Sequence, residues 1–429
     1  MHYARRFTFS CLALLALAVF SGQAIAASNA AVGLCAAAGT HYLTIQAAVN
    51  AVELLGTPRT VRVCPGTYPE QVVITSALTL EGVVNGTSDA AVVAAPGGGL
   101  VQNDTDLFGS AVAAQILVQN AAVTISHLIV DGNNNGLSGC GIGPVGIEFE
   151  NSSGVITDNA VRNVLMDPGD QGCQVGLAIN VEATIGTPAV TISNNSVRNY
   201  DKNGITASGN SPSSGGPAVT VTGNTVIGLG ATSVTAQNGI QISYGATGSV
   251  VGNYVVDDIY TGPNYGSSGI LIYASSGITV TNNTVESTQL GIVPATDPMY
   301  GSADNTLIKG NHIGGTQTYD ALDLCSDGNT AESNTIYGAA QSGIHLDDSC
   351  SPSTGSNNTA TGNTVNEACA GILLGTGTNN TTSPDTLLNV TNTTLAGDSC
   401  TPLASVHPTR GGSSGAHSSL RPSAYKVRR

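Results

Sequence analysis

The sequence is short of charge, and shortest of positive charge. Charged residues make up 10% of its 429 residues, against about 25% in an average soluble domain. Thirteen Lys and Arg stand against 28 Asp and Glu, a formal net charge of −15. That balance excludes nucleic acid as a partner, because phosphate binding needs a basic footprint. Leu, Lys and Glu are scarce, which disfavours helical bundles. No run of 18 or more apolar residues is present, so no transmembrane segment is expected. No Cys-x-x-Cys pair is present either, which removes the support a zinc site would need.

What is abundant is Gly (54 residues), with Ala, Val, Thr, Ser and Asn, and a 41% hydrophobic content that suffices for a core. The length allows one large domain or two ordinary ones. Arg5 and Arg6 precede an apolar stretch from Cys11 to Phe20 and then Ala24-Ile25-Ala26. A basic start, a short apolar core and an Ala-x-Ala site predict a signal peptide over residues 1–26, and hence a secreted protein, periplasmic if retained. Beyond Cys11 eight cysteines remain, an even count that reads as disulfides in an exported chain. Their grouping suggests Cys35–Cys64, Cys140–Cys173, Cys325–Cys350 and Cys369–Cys400, although the count alone leaves connectivity open. Residues 401–429 hold Ser, Gly, Pro and five basic side chains with almost no apolar periodicity, the pattern of a disordered basic tail. Residues 27–400 are expected to form a single domain, whose 28 acidic and six basic residues put its charge near −22.

The internal repeat decides the fold. A Gly-Ile-like pair recurs at Gly146, Gly176, Gly204, Gly239, Gly269, Gly291, Ala321, Gly343 and Gly371, at spacings of 22 to 35 residues. Each repeat also carries an Asn before a short Val/Ile strand, as at Asn195, Asn224, Asn253, Asn283, Asn311, Asn334 and Asn363. Strands this short cannot stand alone as a sheet. Coiled so that each pairs with the turn below at roughly 4.8 Å, they bury a continuous core. The recurrent Asn suits a turn with left-handed backbone, and its side chains can bond one another up the column. Ile45, Val49 and Val52 fall on one helical face behind Thr44 as N-cap, which predicts a helix covering the apolar end of the coil.

These repeats, with Thr44 to Asn50 and the block Val61 to Glu70, resemble the right-handed parallel β-helix proteins of the pectin-lyase-like superfamily, in particular the NosD-like periplasmic group. The resemblance implies an all-β, single-stranded right-handed parallel β-helix (solenoid) with an N-terminal capping helix, of roughly a dozen coils. By fold analogy it implies contact with polysaccharide or a cell-surface glycan. It reproduces no complete catalytic motif. The Asn-Thr-Asp, Gly-His-Gly and Arg-Ile-Lys elements of polygalacturonase-like enzymes are absent, and Asp297-Pro298-Met299-Tyr300 lacks the histidine of alginate-epimerase-like enzymes. A body this acidic is also poorly equipped to attract polyuronates.

Registering the repeats on their Gly-Ile pairs gives two outward columns. Two residues past each Gly the column runs Glu148, Ala178, Thr206, Gln241, Leu271, Val293, Asp323, His345 and Leu373. Four past, it runs Glu150, Asn180, Ser208, Ser243, Tyr273, Ala295, Cys325, Asp347 and Gly375. Asp323 and His345 are therefore expected one rung apart on an exposed face, with Asp347 and Asp348 at its rim. Carboxylates beside a histidine suit general acid–base work on a glycosidic bond, and Tyr273 would stack on a sugar ring. Turn chemistry accounts for Asp in such a coil as well. Two functional classes follow: a glycoside hydrolase or polysaccharide lyase, and a non-catalytic glycan-binding or surface scaffold. A monomer is expected, with no cofactor, although Asp347-Asp348 and nearby main-chain oxygens would suit calcium.

Overall fold

The computed structural model describes residues 29–400 apart from 36–39, 56–58, 85–90, 211–214, 264, 316–318, 350–352, 383–384 and 398. The expected signal peptide and basic tail lie outside the described residues. The chain coils into stacked turns whose strands lie in one sheet of 14 strands and another of 23. Among the described residues the paired strands run parallel, except Asp104-Thr105 against Ala111-Val112.

Three inward columns make the core, and each can be followed through the register. One runs Ile125, Ile156, Ile192, Val221, Val250, Val280, Ile308 and Ala331. A second runs Val130, Val161, Val197, Val226, Val255, Val285, Ile313, Ile336 and Val365. The third runs Ile116, Ile147, Ile179, Ile205, Ile240, Ile270, Ile292, Leu322, Ile344 and Ile372. Almost all of these side chains are fully buried, each stabilising the fold by about 1.5–3 kcal/mol. Predominantly β-branched, they fit a pleated surface packed on three sides.

The third column corrects the expected register at one rung. Ile147 pairs with Ile179, so Glu148 lies beside Asn180 and Glu150 beside Glu182. The pair Gly176-Leu177 therefore sits two residues out of step with the other repeats. Elsewhere the glycine of the pair is required by close approach. A Cβ on Gly239 would come within 2.2 Å of Val255 Cγ1, and one on Gly343 within 2.4 Å of Val365 Cγ1. The glycine lets the second inward column close on the third.

The recurrent asparagines form one continuous ladder. Asn253 donates from both its backbone N and its Nδ2 to Asn283 Oδ1, each at 2.9 Å. Asn283 does the same to Asn311, and its Nδ2 also reaches Val250 O at 2.9 Å. The series starts at Asn159, passes through Asn195, Asn224 and onward to Asn363, and ends on Asp385 Oδ1. The left-handed backbone belongs to the residue before the ladder Asn, as at Asn194, Gly223, Gly252 and Asn282. It is that preceding residue which turns the corner and aims the amide inward.

The helix forms as expected over Ile45–Glu53, with Thr44 Oγ1 accepting from Ala47 N and with Ile45, Val49 and Val52 buried on the coil end. Glu70 accepts from Ile45 N and Gln46 N at 2.7 and 2.9 Å, adding a carboxylate at the positive end of the helix. Disulfides join Cys35–Cys64, Cys140–Cys173 and Cys369–Cys400. Cys325 is also disulfide-bonded; its expected partner Cys350 lies outside the described residues.

Replacing Asn283 by Ala removes the acceptor of two Asn253 donors and the donor to Val250 O, all buried. Each stranded group costs about 1–3 kcal/mol, so denaturant unfolding should show a loss of about 3 kcal/mol or more. Thr220→Ala, on an exposed position of a neighbouring strand, should stay within about 0.5 kcal/mol of wild type. Equal stabilities for the two variants would remove the ladder from the account of what holds the coil.

Candidate functional site

The outward columns carry the chemistry, and they divide into three stretches. At the lower end lie the acidic rungs. Asn180 Nδ2 bridges Glu148 Oε1 at 2.7 Å and Glu182 Oε2 at 3.3 Å. Gln119 Nε2 bridges Glu150 Oε2 at 2.7 Å and Asp104 Oδ1 at 3.4 Å. Burial, followed by repulsion from Glu182 and Asp104, holds the Glu148 carboxyl well above the usual range. Burial and the charges of Asp106 and Asp104 raise Glu182 to about 8. Asp104, half-buried, rises to about 6, chiefly through burial and against a backbone hydrogen bond from Thr105. Burial thus favours the protonated form of Glu148 and of Glu182.

Above the acidic rungs the floor turns neutral and polar. Asn203 Nδ2 donates to Thr206 Oγ1 and to Gln241 Oε1, and Ser208 Oγ lies 2.9 Å from Ser243 Oγ. A hairpin reaches across these rungs from the coil below. Asp106 Oδ1 closes its tip by accepting from Phe108 N and Ser110 N at 2.9 and 2.7 Å. The Phe108 ring meets Tyr244 at 5.1 Å and Tyr300 at 5.7 Å, edge to face. Tyr244 in turn packs edge to face on Tyr273 and Tyr300. Between hairpin and rungs opens a cleft of about 350 Å³, lined by Asp106, Phe108, Asn180, Glu182, Lys202, Thr206, Ser208, Gln241, Tyr244, Tyr265 and Tyr300. Its size lies within the ~300–1,000 Å³ span of small-ligand sites. Lys202 is the one basic residue of that lining; its ammonium donates to Ala236 O, and burial lowers its pKa to about 8.

The third stretch holds the residues picked out by registration. Asp323 pairs with His345 on adjacent rungs, as expected. The face is not exposed, however: Asp323, His345 and Asp347 are 6%, 3% and 6% exposed. Leu271, Val293 and Ala295, just below them in the same columns, are equally buried under the tyrosines. His345 Nδ1 lies 3.4 Å from Asp320 Oδ2 and 3.8 Å from Asp323 Oδ1, and Nε2 lies 3.9 Å from Asp347 Oδ1. Burial lowers the imidazole pKa, but Asp320, then Asp323 and Asp347, outweigh it and push it up to about 10. Burial and the charge of Asp347 hold Asp323 well above its ordinary value.

Asp347 and Asp348 do not converge on a common point. Asp347 accepts from Ser349 N and Oγ, whereas Asp348 accepts from Thr376 N and Oγ1, which lower its pKa against partial burial. Tyr273 is also buried, its hydroxyl donating to Asp297. It braces Tyr244 and Tyr300 instead of offering its own face to a sugar. Registration missed Asp104, Asp106 and Phe108, which arrive on an insertion outside the repeat, passed over Glu182, and misplaced Asn180 by one column. A run of acidic residues at Glu148, Glu150 and Glu182 in a β-rich stretch was the available signal.

The raised Glu182 pKa gives a signed expectation. A carboxyl whose folded pKa lies above its unfolded value contributes stability that is fully present below about pH 4.5 and lost as pH rises through about 8. Glu182→Gln, uncharged throughout, should melt with wild type near about pH 5 and several degrees above it near about pH 9. A variant that is less stable than wild type at both pH values would contradict the assignment.

The family model described as "Right handed beta helix region" matches residues 213–387. No curated protein matches the chain in sequence. Among solved structures, the chain is similar to the catalytic unit of the thermostable GH87 α-1,3-glucanase of Streptomyces thermodiastaticus strain HF3-3, at 16% identity and a TM-score of 0.52, covering 83% of this chain and 65% of that one. It is similar also to bacteriophage phi29 gene product 12 in its pre-mature form, at 13% identity and a TM-score of 0.53, covering 80% and 50%. The Dettilon tailspike protein aligns at 16% identity and a TM-score of 0.49, covering 82% and 64%. The chain thus spans about two thirds or less of the length of these structures. The likeness to the glucanase unit and to gene product 12 is one of fold, and it agrees with the rungs described above: the chain is a right-handed parallel β-helix protein.

Proposed function

We propose that this is an exported, monomeric β-helix protein that binds a neutral polysaccharide in the cleft beneath the Phe108 hairpin and hydrolyses it there. The observation that carries the reading is a cleft that two acidic side chains, Glu182 and Asp106, line together with an aromatic wall, burial raising the Glu182 pKa to about 8. Such a pair supplies what glycoside hydrolysis needs: an acid for the leaving oxygen and a carboxylate for the opposite face of the ring. Tyr265, Tyr300 and Phe108 offer flat aromatic surfaces for sugar rings. Thr206, Ser208 and Gln241 offer hydroxyl and amide partners along the floor. Among the described residues of the lining, Lys202 stands alone as a basic side chain against the acidic Asp106 and Glu182, a balance that favours a neutral chain, and so hydrolysis, over lyase chemistry on a polyuronate.

Export is supported by the sequence of residues 1–26 and by the disulfides, which form in oxidising compartments. Among the described residues no helix is long and apolar enough to cross a membrane. That an α-1,3-glucanase catalytic unit shares the fold supports polysaccharide as the substrate class by analogy alone. The non-catalytic reading has its own observation in its favour: Glu182 is only 3% exposed, a tight fit for an acid that must reach a glycosidic oxygen.

A panel of neutral polysaccharides, assayed for new reducing ends and for unsaturated products, tests the proposal. Wild type should release reducing ends without unsaturation. Glu182→Gln and Asp106→Asn should each lower turnover by about 10²-fold or more, the size of a general acid–base contribution, with binding retained. Tyr300→Ala should weaken binding. Binding that depends on Tyr300, with no turnover on any substrate, would transfer the protein to the non-catalytic class.

A further inference from the structure

The corner around His345 is too enclosed for a polysaccharide, yet three of its polar atoms lack hydrogen bonds among the described residues. His345 Nδ1, His345 Nε2 and Asp323 Oδ1 are all buried with no hydrogen-bond partner among the described residues. The ring and its neighbours stand 3.4 to 3.9 Å apart, too far for hydrogen bonds of ordinary strength. Buried polar atoms are rarely left in this condition, and an ion between them is one of the few explanations.

Three donor atoms, one each from Asp320, Asp323 and His345, lie within 4.8 Å of one another. Zinc bound to imidazole nitrogen and carboxylate oxygen at about 2.0–2.2 Å sets neighbouring donors roughly 3.3–3.6 Å apart. The separations of 3.4 Å and 3.8 Å from His345 Nδ1 come close to that edge. The supporting contacts are already in place. Ser342 N and Oγ both donate to Asp320 Oδ1, at 3.0 and 2.5 Å, which leaves Oδ2 turned toward the ring. Asp347 Oδ1 faces the other ring nitrogen and is itself held by Ser349 N at 2.7 Å. A carboxylate behind the ligating histidine is the usual means of fixing its tautomer and orientation. Cys325, close to Asp323 and Asp347, is tied in a disulfide and supplies no thiolate.

We propose that Asp320, Asp323 and His345 bind a divalent transition-metal ion of the zinc type, with Asp347 orienting the imidazole from behind. One nitrogen and a few carboxylate oxygens suit zinc better than calcium, which takes six to eight oxygens. The ion ties the segment before Leu322 to two successive rungs, so its role is structural. It would neutralise carboxylates that the coil otherwise buries against one another.

The test uses the untagged, disulfide-intact mature protein, stripped with a chelator, desalted and titrated with zinc alone. A single zinc ion per chain should survive desalting, and the melting midpoint should rise with zinc concentration. His345→Gln and Asp323→Asn should each weaken zinc binding by at least about 10-fold, whereas His312→Gln, at an exposed histidine on another strand, should bind as wild type does. Cobalt in place of zinc gives an absorption spectrum on the wild-type chain, which keeps the test valid if a variant fails to fold. A spectrum of low-coordinate nitrogen and oxygen ligation supports the site. Failure of wild type to retain zinc, retention undiminished in folded His345→Gln, or preferential uptake of calcium would each overturn it.

Discussion

The coil rests on one interaction, the amide of each ladder asparagine bonding to the asparagine of the next turn. Inward Val, Ile and Leu supply most of the favourable free energy, but hydrophobic burial has no direction and would tolerate a slipped register. The ladder supplies the direction. Each amide fixes one backbone N–H, one carbonyl of the preceding strand and the next amide at once. Turns of 22 to 35 residues can therefore differ in every loop and still return to the same height. The insertion carrying Asp106 and Phe108 and the segment bearing Tyr300 are such loops, and between them they build the cleft.

The fold was legible in the sequence because its two constraints are local and repeated. A glycine where a valine of the neighbouring strand presses in, and an asparagine where an amide must point inward, leave a mark at every turn. Chain ends of the ladder were harder to read: Asn159 precedes the obvious run, and Asp385 closes it with a carboxylate in place of an amide. The misregistered rung has a similar cause, since Gly176-Leu177 satisfies the pattern while Ala178-Ile179 occupies the position.

The site was less legible because exposure on a solenoid is decided by loops, not by the parity of a strand. Registration placed Asp323 beside His345 correctly. It took an outward-pointing side chain to be a solvated one. The same columns held the contrary signal, for Leu271, Val293 and Ala295 point outward too and would be costly to leave in water. An apolar outward stretch implies a cover, and here the cover is the tyrosine cluster beside the His345 corner. Where the column is polar, from Asn180 to Ser243, the cover lifts into a cleft.

The ladder also bears on how such a chain changes in length over time. Each asparagine recognises only the one above and the one below, and it presents the same acceptor and the same donors at every turn. A duplicated turn inserted between Asn224 and Asn253 would meet matching partners on both sides, and a deleted turn would leave none exposed. The helix at one end and the carboxylate at the other would be untouched. Gene duplication can therefore lengthen or shorten the scaffold by whole turns, adding or removing rungs of the cleft floor between Thr206 and Gln241, with no need to redesign either end.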